Sequence, residues 1–114
     1  MNRSELFVME LLWNEGDMSA KDIAERLGES CGWKKTTTYT VIGKCAEKGY
    51  LERREPDYIC HALISQEANR KTAAEELLNR LFEGSVENLF ATMLKGRKLS
   101  QEEIDRLRKM IEEQ

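Results

Sequence analysis

Residues 19–64 read SAKDIAERLGESCGWKKTTTYTVIGKCAEKGYLERREPDYICHALI, and their hydrophobic pattern changes from helical to extended along the stretch. Ser19 is a typical helix N-cap, and the apolar spacing after it predicts a short amphipathic helix that ends at Gly28. A second helix is predicted from about Lys35 to Lys48, with Gly49 just beyond its end. The face of this second helix that points to the core carries Thr38, Val41, Ile42, Cys45 and Ala46.

The segment after these two helices has the composition of a compact β-hairpin. Extended residues at Tyr50 and Leu51 precede a turn around Glu55–Asp57. The returning strand is expected over Tyr58–Ile64, which is rich in β-branched and aromatic residues. A hairpin is therefore predicted directly after the second helix.

A further helix is predicted upstream, starting after Ser4 as its N-cap and ending before Gly16. Its apolar face carries Leu6, Met9, Leu12 and Trp13. Three helices followed by a hairpin is the order of the winged helix-turn-helix. The expected fold class is therefore mainly α with a small β-wing, and the winged-helix domain is assigned to residues 1–66.

Residues 67–114 are predicted to form a helical dimerisation domain of three short helices. Gly84 ends the first helix, Ser85 caps the second, and Ser100 opens a capping box with Glu103 for the third. Three helices with one apolar stripe each cannot bury those stripes alone at this length, so we expect a second copy of the chain to cover them. The residues expected at this interface are Leu77, Leu78, Leu81, Leu89, Phe90, Met93, Ile104, Leu107 and Ile111.

Composition excludes several classes of protein. A chain of 114 residues is one domain, or a small domain with a helical appendage, and its longest apolar run is too short to span a membrane. Three cysteines and one histidine, without a CxxC pair, predict neither a metal site nor a disulfide framework. Phosphate-binding and nucleophile-elbow motifs are absent. We therefore expect a cytoplasmic protein without cofactor, metal or membrane partner, and not an enzyme.

Charge is unevenly distributed along the chain. The formal net charge is −3, yet Cys31–Arg54 contains six basic and only two acidic residues. The first thirty residues have the opposite balance, with three basic and seven acidic residues. One local basic surface on an acidic body is typical of a protein that reads a specific DNA sequence.

The predicted second helix contains the candidate DNA-reading residues. Lys34 and Lys35, at its N-terminus, are suited to phosphates, because the helix dipole also favours anions there. Threonine side chains can contact base edges or thymine methyl groups. The face away from the core presents Thr36, Thr37, Thr40, Gly43 and Lys44, with Tyr39 toward its edge. Gly43 disfavours a helix, which indicates a close approach by DNA or by a neighbouring helix.

Several motifs together resemble the penicillinase and methicillin-resistance repressors, the BlaI/MecI family, over nearly the whole chain. Two of them lie before the basic segment, SELFVMELLW at 4–13 and SAKDI at 19–23. Trp33 followed by Thr36 and Thr37 then precedes KGYL at 48–51. The last is LSQEEI at 99–104. The combination is specific, whereas each piece alone is common.

The resemblance implies a bacterial homodimeric repressor that reads an inverted-repeat operator in double-stranded DNA. The family's DNA contacts correspond to Thr36, Thr37, Tyr39 and Thr40, with help from Arg53 and Arg54. Family members commonly have a basic residue where this chain has Tyr39 or Thr36. In the best-known members a sensor-linked protease cleaves an Asn-Phe bond in the middle C-terminal helix, and the corresponding pair here is Thr92 and Met93.

Two other functions are compatible with the same residues. A thiol- or metal-responsive repressor could use Cys31, Cys60 and His61, although adjacent residues of a strand point to opposite faces. A winged-helix adaptor that binds protein instead of DNA is the second alternative. DNA binding weakens steeply with salt, which separates a DNA reader from an adaptor.

Overall fold

A computed structural model describes all 114 residues, and it confirms the predicted mainly α fold with a small β-wing. The elements in chain order are α1 (Arg3–Glu15), β1 (Met18–Ser19), α2 (Ala20–Cys31), α3 (Lys35–Glu47), β2 (Leu51–Arg54), β3 (Ile59–Ala62), α4 (Gln66–Phe82), α5 (Val86–Gly96) and α6 (Gln101–Glu112). The chain divides into two compact units, Met1–Arg70 and Lys71–Gln114. No helix is long and apolar enough to cross a membrane.

The first two helices differ from the prediction at one end each. The N-cap of α1 is Asn2 and not Ser4, because the Asn2 side chain accepts from the Glu5 amide while the Glu5 carboxylate accepts from the Asn2 amide, both at 2.9 Å. The prediction that Gly28 ends α2 is also wrong. Gly28 lies inside the helix, and Gly32, in the left-handed region with φ of 70°, ends it. A glycine inside a helix costs only about 1 kcal/mol, which further turns can offset.

The wing contains one strand that the sequence pattern did not reveal. The sheet has three antiparallel strands in the order β1-β3-β2, and β1 pairs Met18 with Cys60 and Ser19 with Ile59. A two-residue strand has no detectable period, so only its partner defines it. Tyr58, expected in the returning strand, instead belongs to the turn, since its φ of 49° is incompatible with extended backbone. The strand also ends at Ala62, before Leu63 and Ile64, which were expected in it.

The core of the first unit is formed by α1, α2, α3 and the wing. Its buried residues are Val8, Met9, Leu12, Ile23, Leu27, Val41, Ile42, Cys45, Leu51 and Cys60. The predicted inner face of α3 is confirmed, since Thr38, Val41, Ile42 and Cys45 are buried and Ala46 is half-buried. The opposite face of α3 is left to solvent.

Three long-range contacts position α3 and the wing. The indole Nε1 of Trp13 donates to the Ile64 carbonyl at 2.9 Å, which ties the end of α1 to the segment after β3. The ring of Trp33, just before α3, packs edge-on against Phe7 with centroids 5.9 Å apart. These contacts hold α1 against both ends of the segment that contains α3 and the wing.

The third contact is an ion pair between the fully buried Glu5 and Lys48 at the end of α3. The Lys48 ammonium lies 2.7 Å from Glu5 Oε2, an oxygen with no other partner. Burial acts to raise the pKa of the Glu5 carboxyl, but the hydrogen bonds from Lys48 and the Asn2 amide outweigh it, so the pKa lies below its ordinary value. Glu5 therefore stays ionised and fixes the C-terminal end of α3 against α1.

The second unit has no buried residue in any of its helices. The predicted caps are confirmed, since Ser85 accepts from the Asn88 amide and Ser100 forms a capping box with Glu103. Helices α5 and α6 therefore begin with a side-chain cap, but none of the three has a buried residue. Unpaired apolar side chains on short helices contribute little stability in water, because their burial is what stabilises such helices.

Candidate nucleic-acid interface

The exposed face of α3 presents a row of small polar side chains. Thr36, Thr37, Thr40 and Lys44 line one open surface along the helix. The Thr40 hydroxyl donates to the Thr36 carbonyl at 2.9 Å, so its proton is used within the helix and its oxygen remains an acceptor. No hydrogen bond occupies the side chains of Thr36 or Thr37. This face can therefore both donate to and accept from a flat polar partner.

Gly43 lies on the same side of α3 in open space. A Cβ added there would meet no atom within 4 Å, so no neighbouring helix explains the glycine. Of the two reasons considered for Gly43, close approach by another helix is wrong for this chain. A close approach by DNA stays a prediction.

The N-terminus of α3 is open toward solvent. Its N-cap, Lys34, makes no side-chain capping bond, and the first turn contains no acidic residue. The backbone amides of that turn are therefore free, and they lie beside the exposed Lys34 and Lys35 side chains. Free amides, the helix dipole and two ammonium groups favour a phosphate at this position.

The two wing arginines that were predicted to help bind DNA point to opposite faces of the wing. Arg53 lines a groove together with Tyr39 of α3, whereas Arg54 lies on the other face of β2 and pairs with Glu52 at 2.6 Å. Successive residues of a strand point to opposite faces, so Arg53 and Arg54 cannot both face α3, as the sequence analysis had expected. The structure thus brings Arg53 to α3 and directs Arg54 away from this groove.

Two residues near this surface were missed in the sequence. Lys21, in the first turn of α2, and Tyr58, at the wing tip, line the same groove as Tyr39 and Arg53. Lys21 belongs to an acidic stretch of sequence, and Tyr58 was assigned to a strand. Neither residue therefore had a local sequence pattern that indicates a place beside α3. Only the packing of α2 and the wing against α3 brings them together.

The cysteines and the histidine do not converge on one site. Cys31 is exposed at the end of α2, while Cys60 is buried and burial raises the pKa of its thiol. His61 faces away from Cys60 and contacts Asp17 through Nδ1 at 2.8 Å. Burial also raises the pKa of the Cys45 thiol to about 12. No group of three or more His, Cys, Asp or Glu residues is placed to hold a metal ion.

The residues predicted for dimerisation lie on all three helices of the second unit. Those that remain exposed are Leu77, Leu81, Phe90, Met93 and Ile111, and those that are half-buried are Leu78, Leu89, Ile104 and Leu107. Phe90, Met93 and Leu107 line one cleft of about 190 Å³. The predicted cleavage pair, Thr92 and Met93, is exposed in the middle of α5.

Comparison with known proteins gives consistent matches along the chain. A family model for penicillinase repressors matches residues 1–113. The methicillin resistance regulatory protein MecI of Staphylococcus aureus (strain N315) is 24% identical over 113 residues, covering 97% of this chain and 92% of MecI. The penicillinase repressor of Bacillus licheniformis is 23% identical over 112 residues, covering 96% of this chain and 88% of that protein.

Part of the chain also resembles a solved structure. The solution structure of the DNA-binding domain of the repressor BlaI superposes with a TM-score of 0.56 at 18% identity, covering 60% of this chain and 85% of that domain. At this identity the likeness shows the winged-helix fold alone. The family model covers almost every residue, and the chain therefore belongs to the penicillinase repressor family, a family of transcriptional repressors and not of enzymes.

Proposed function

We propose that this repressor binds an inverted-repeat operator in double-stranded DNA as a homodimer, with α3 as the recognition helix. The observation that carries the proposal is the exposed polar face of α3, which presents Thr36, Thr37, Thr40 and Lys44 as one open surface. Selection of bound sequences from a random duplex library tests it. Recovery of an inverted repeat supports the proposal, and recovery of no common sequence contradicts it.

The side chains of α3 divide into two roles in this proposal. Lys34 and Lys35, beside the free amides of the first turn, hold phosphates and set the register of the helix on the duplex. Thr36, Thr37 and Thr40 read base edges in the major groove. Tyr39, Lys44 and Arg53 extend the contact on either side of the threonines, and Arg54 binds a backbone phosphate only if it leaves Glu52.

The second unit supplies the dimer in this proposal. Its helices leave large apolar side chains exposed, among them Leu81 and Phe90, and none of its residues is buried. A second copy covers these side chains at a two-fold interface. Two-fold symmetry also places two recognition helices about one duplex turn apart, which matches an inverted repeat.

We further propose that proteolysis within α5 relieves repression. Cleavage at Thr92-Met93 divides α5 and removes apolar side chains from the interface with the second copy. A protease needs an extended substrate, and within one chain α5 has no buried residue that holds the helix closed, so only its contacts with the second copy oppose opening. A sensor-linked protease is the expected partner, and incubation with such a protease followed by mass spectrometry of the fragments identifies the bond cut.

Thr37→Ala and Thr40→Ala are expected to weaken specific operator binding by about 1–3 kcal/mol each, because both side chains face the proposed base edges. The fold should be unaffected, since both residues are exposed. Thr72→Ala on α4 is a matched control that also replaces an exposed helical threonine. Fluorescence anisotropy with selected and scrambled duplexes measures the effect, and unchanged affinity in both α3 variants would remove the assignment of α3.

Lys35→Ala should weaken binding to all duplexes alike and reduce the dependence of log K on log salt by about one unit, as loss of one phosphate contact requires. Lys95→Ala on α5 is the control for the change in net charge. Titrations at several salt concentrations provide both slopes. A salt dependence near zero in the parent protein would instead favour the protein-binding adaptor.

Gly43→Ala separates helix stability from DNA contact. The added methyl group meets no protein atom, so we expect α3 to gain up to about 1 kcal/mol in stability. If DNA approaches this point closely, operator affinity falls at the same time. Urea unfolding and anisotropy on the same preparation measure both effects, and a variant that binds the operator as well as the parent shows that DNA does not approach Gly43.

A further inference from the structure

A groove of about 430 Å³ lies where the start of α2, the middle of α3 and the wing tip meet. Its lining contains two cationic, one anionic, two phenolic and two apolar side chains, namely Lys21, Arg53, Asp57, Tyr39, Tyr58, Ala20 and Ile42. The volume falls within the range of small-molecule sites, roughly 300–1,000 Å³. The groove is separate from the open threonine surface of α3.

The walls of this groove are held in place by the backbone. The Ala20 amide donates to the Tyr58 carbonyl at 3.1 Å, which ties the wing tip to the first residue of α2. Asp57 and Tyr58 both have left-handed backbone conformations, with φ of 66° and 49°, which bulky side chains rarely adopt. Such residues persist where the surroundings fix them, and they are found often at ligand clamps. The backbone of this wall is thus fixed against α2, and the exposed Tyr58 side chain forms part of the wall.

The chemistry of the lining selects a ligand class. Lys21 and Arg53 against Asp57 leave one net positive charge, which a single carboxylate neutralises. The exposed rings of Tyr39 and Tyr58 suit a flat aromatic body, whereas Ile42, which is only 1% exposed, adds little contact surface. We propose that this groove binds a small aromatic carboxylate, and that the bound acid competes with DNA for Tyr39 and Arg53.

A nucleic acid backbone fits this lining less well than a small acid. Asp57 repels a chain of phosphates, and the faces of the two tyrosine rings offer an apolar contact that a phosphate cannot use. The competition between acid and DNA rests on the proposed function, because it requires Tyr39 and Arg53 to contact DNA. Binding of the acid itself does not depend on that function.

An amide NMR titration of the full chain with sodium naphthoate tests the site. The largest shifts are expected at Ala20, Lys21, Tyr39, Arg53 and Tyr58. The affinity for naphthoate should be at least about fivefold higher than that for the neutral naphthalenemethanol, as expected for one charge-assisted contact. Naphthoate should also bind more tightly than inorganic phosphate. Shifts confined to α5 and α6, or equal affinity for the neutral alcohol or for phosphate, overturn the site.

Two variants and one competition complete the test. Lys21→Gln changes an exposed side chain and should weaken naphthoate binding about fivefold, while Lys95→Gln leaves it unchanged. Tyr58→Ser removes one ring and should also weaken binding, whether or not it alters the melting temperature. Unchanged affinity in Lys21→Gln and Tyr58→Ser overturns the assignment.

The competition uses the selected operator duplex. Naphthoate should raise the apparent Kd for DNA by the factor that the naphthoate concentration and the Kd for naphthoate predict. In the Lys21→Gln protein, which binds naphthoate more weakly, the same concentration should raise the Kd for DNA by a smaller factor. Naphthoate that binds the groove without changing operator affinity overturns the competition while leaving DNA binding by α3 intact. A parent protein that binds naphthoate but no duplex contradicts the proposed function and leaves the small-molecule site standing.

Discussion

Phe90→Ala is expected to convert the repressor from a dimer to a monomer and to reduce operator affinity by two orders of magnitude or more. In the single chain Phe90 is 41% exposed and lines the cleft formed with Met93 and Leu107. If a second copy covers it, truncation opens a cavity that costs roughly 3–5 kcal/mol, and two-fold symmetry repeats that cost. The dimer would lose much of its association energy although no DNA-facing residue has changed.

The loss of operator affinity follows from the loss of the second half-site contact. A monomer presents one recognition helix, so it loses the gain in effective concentration that links the two half-sites. Analytical ultracentrifugation and anisotropy on Phe90→Ala measure the two effects together, with Phe90→Leu as a milder change and Glu87→Ala as a surface control on the same helix. A Phe90→Ala protein that stays dimeric, or a monomer that binds the operator as tightly as the parent, would show that α5 does not control DNA binding.

Ile42→Ala should destabilise the first unit by about 2–5 kcal/mol, because it removes buried methyl groups from the inner face of α3. Ile42 is only 1% exposed and packs in the core formed by α1, α2 and the wing. Urea unfolding monitored by Trp13 and Trp33 fluorescence provides the free energy of unfolding. Ile42→Val should cost about 0.5–1.5 kcal/mol in the same assay.

Thr38→Val is the matched comparison on the same buried face. The Thr38 hydroxyl is buried and has no hydrogen-bond partner, so exchanging it for a methyl group should leave stability unchanged or raise it by about 1 kcal/mol. Opposite outcomes for two neighbouring buried residues distinguish packing from polarity. Destabilisation by Thr38→Val comparable to that of Ile42→Ala would mean that the hydroxyl has a partner in solution.

Most of the secondary structure was predictable because its signals are local. Apolar residues at helical spacing predicted all six helices, and the caps at Ser19, Ser85 and Ser100 were correct because each capping bond spans three residues. The two errors at helix ends, at Ser4 and Gly28, arose where two candidate residues compete within one turn. Local spacing cannot decide between them.

The polar face of α3 followed from sequence for the same reason, since burying Val41, Ile42 and Cys45 turns Thr36, Thr37 and Thr40 outward. By contrast, the pairing of β1 with β3, the ion pair between Glu5 and Lys48 and the bond from Trp13 to Ile64 join residues far apart in the chain. No periodicity encodes such pairs, because their partners meet only after the helices have packed.

The same division explains the surface around the recognition helix. Amino-acid pattern determined which helix is basic and which of its faces is free, because helix geometry relates neighbours three and four residues apart. Tertiary packing alone decided that Arg53 joins Tyr39 while Arg54 pairs with Glu52, and that Lys21 and Tyr58 complete a groove. Those relations depend on strand orientation and on the docking of α2 and the wing against α3, which arise from contacts between distant segments and not from the order of residues within any one of them.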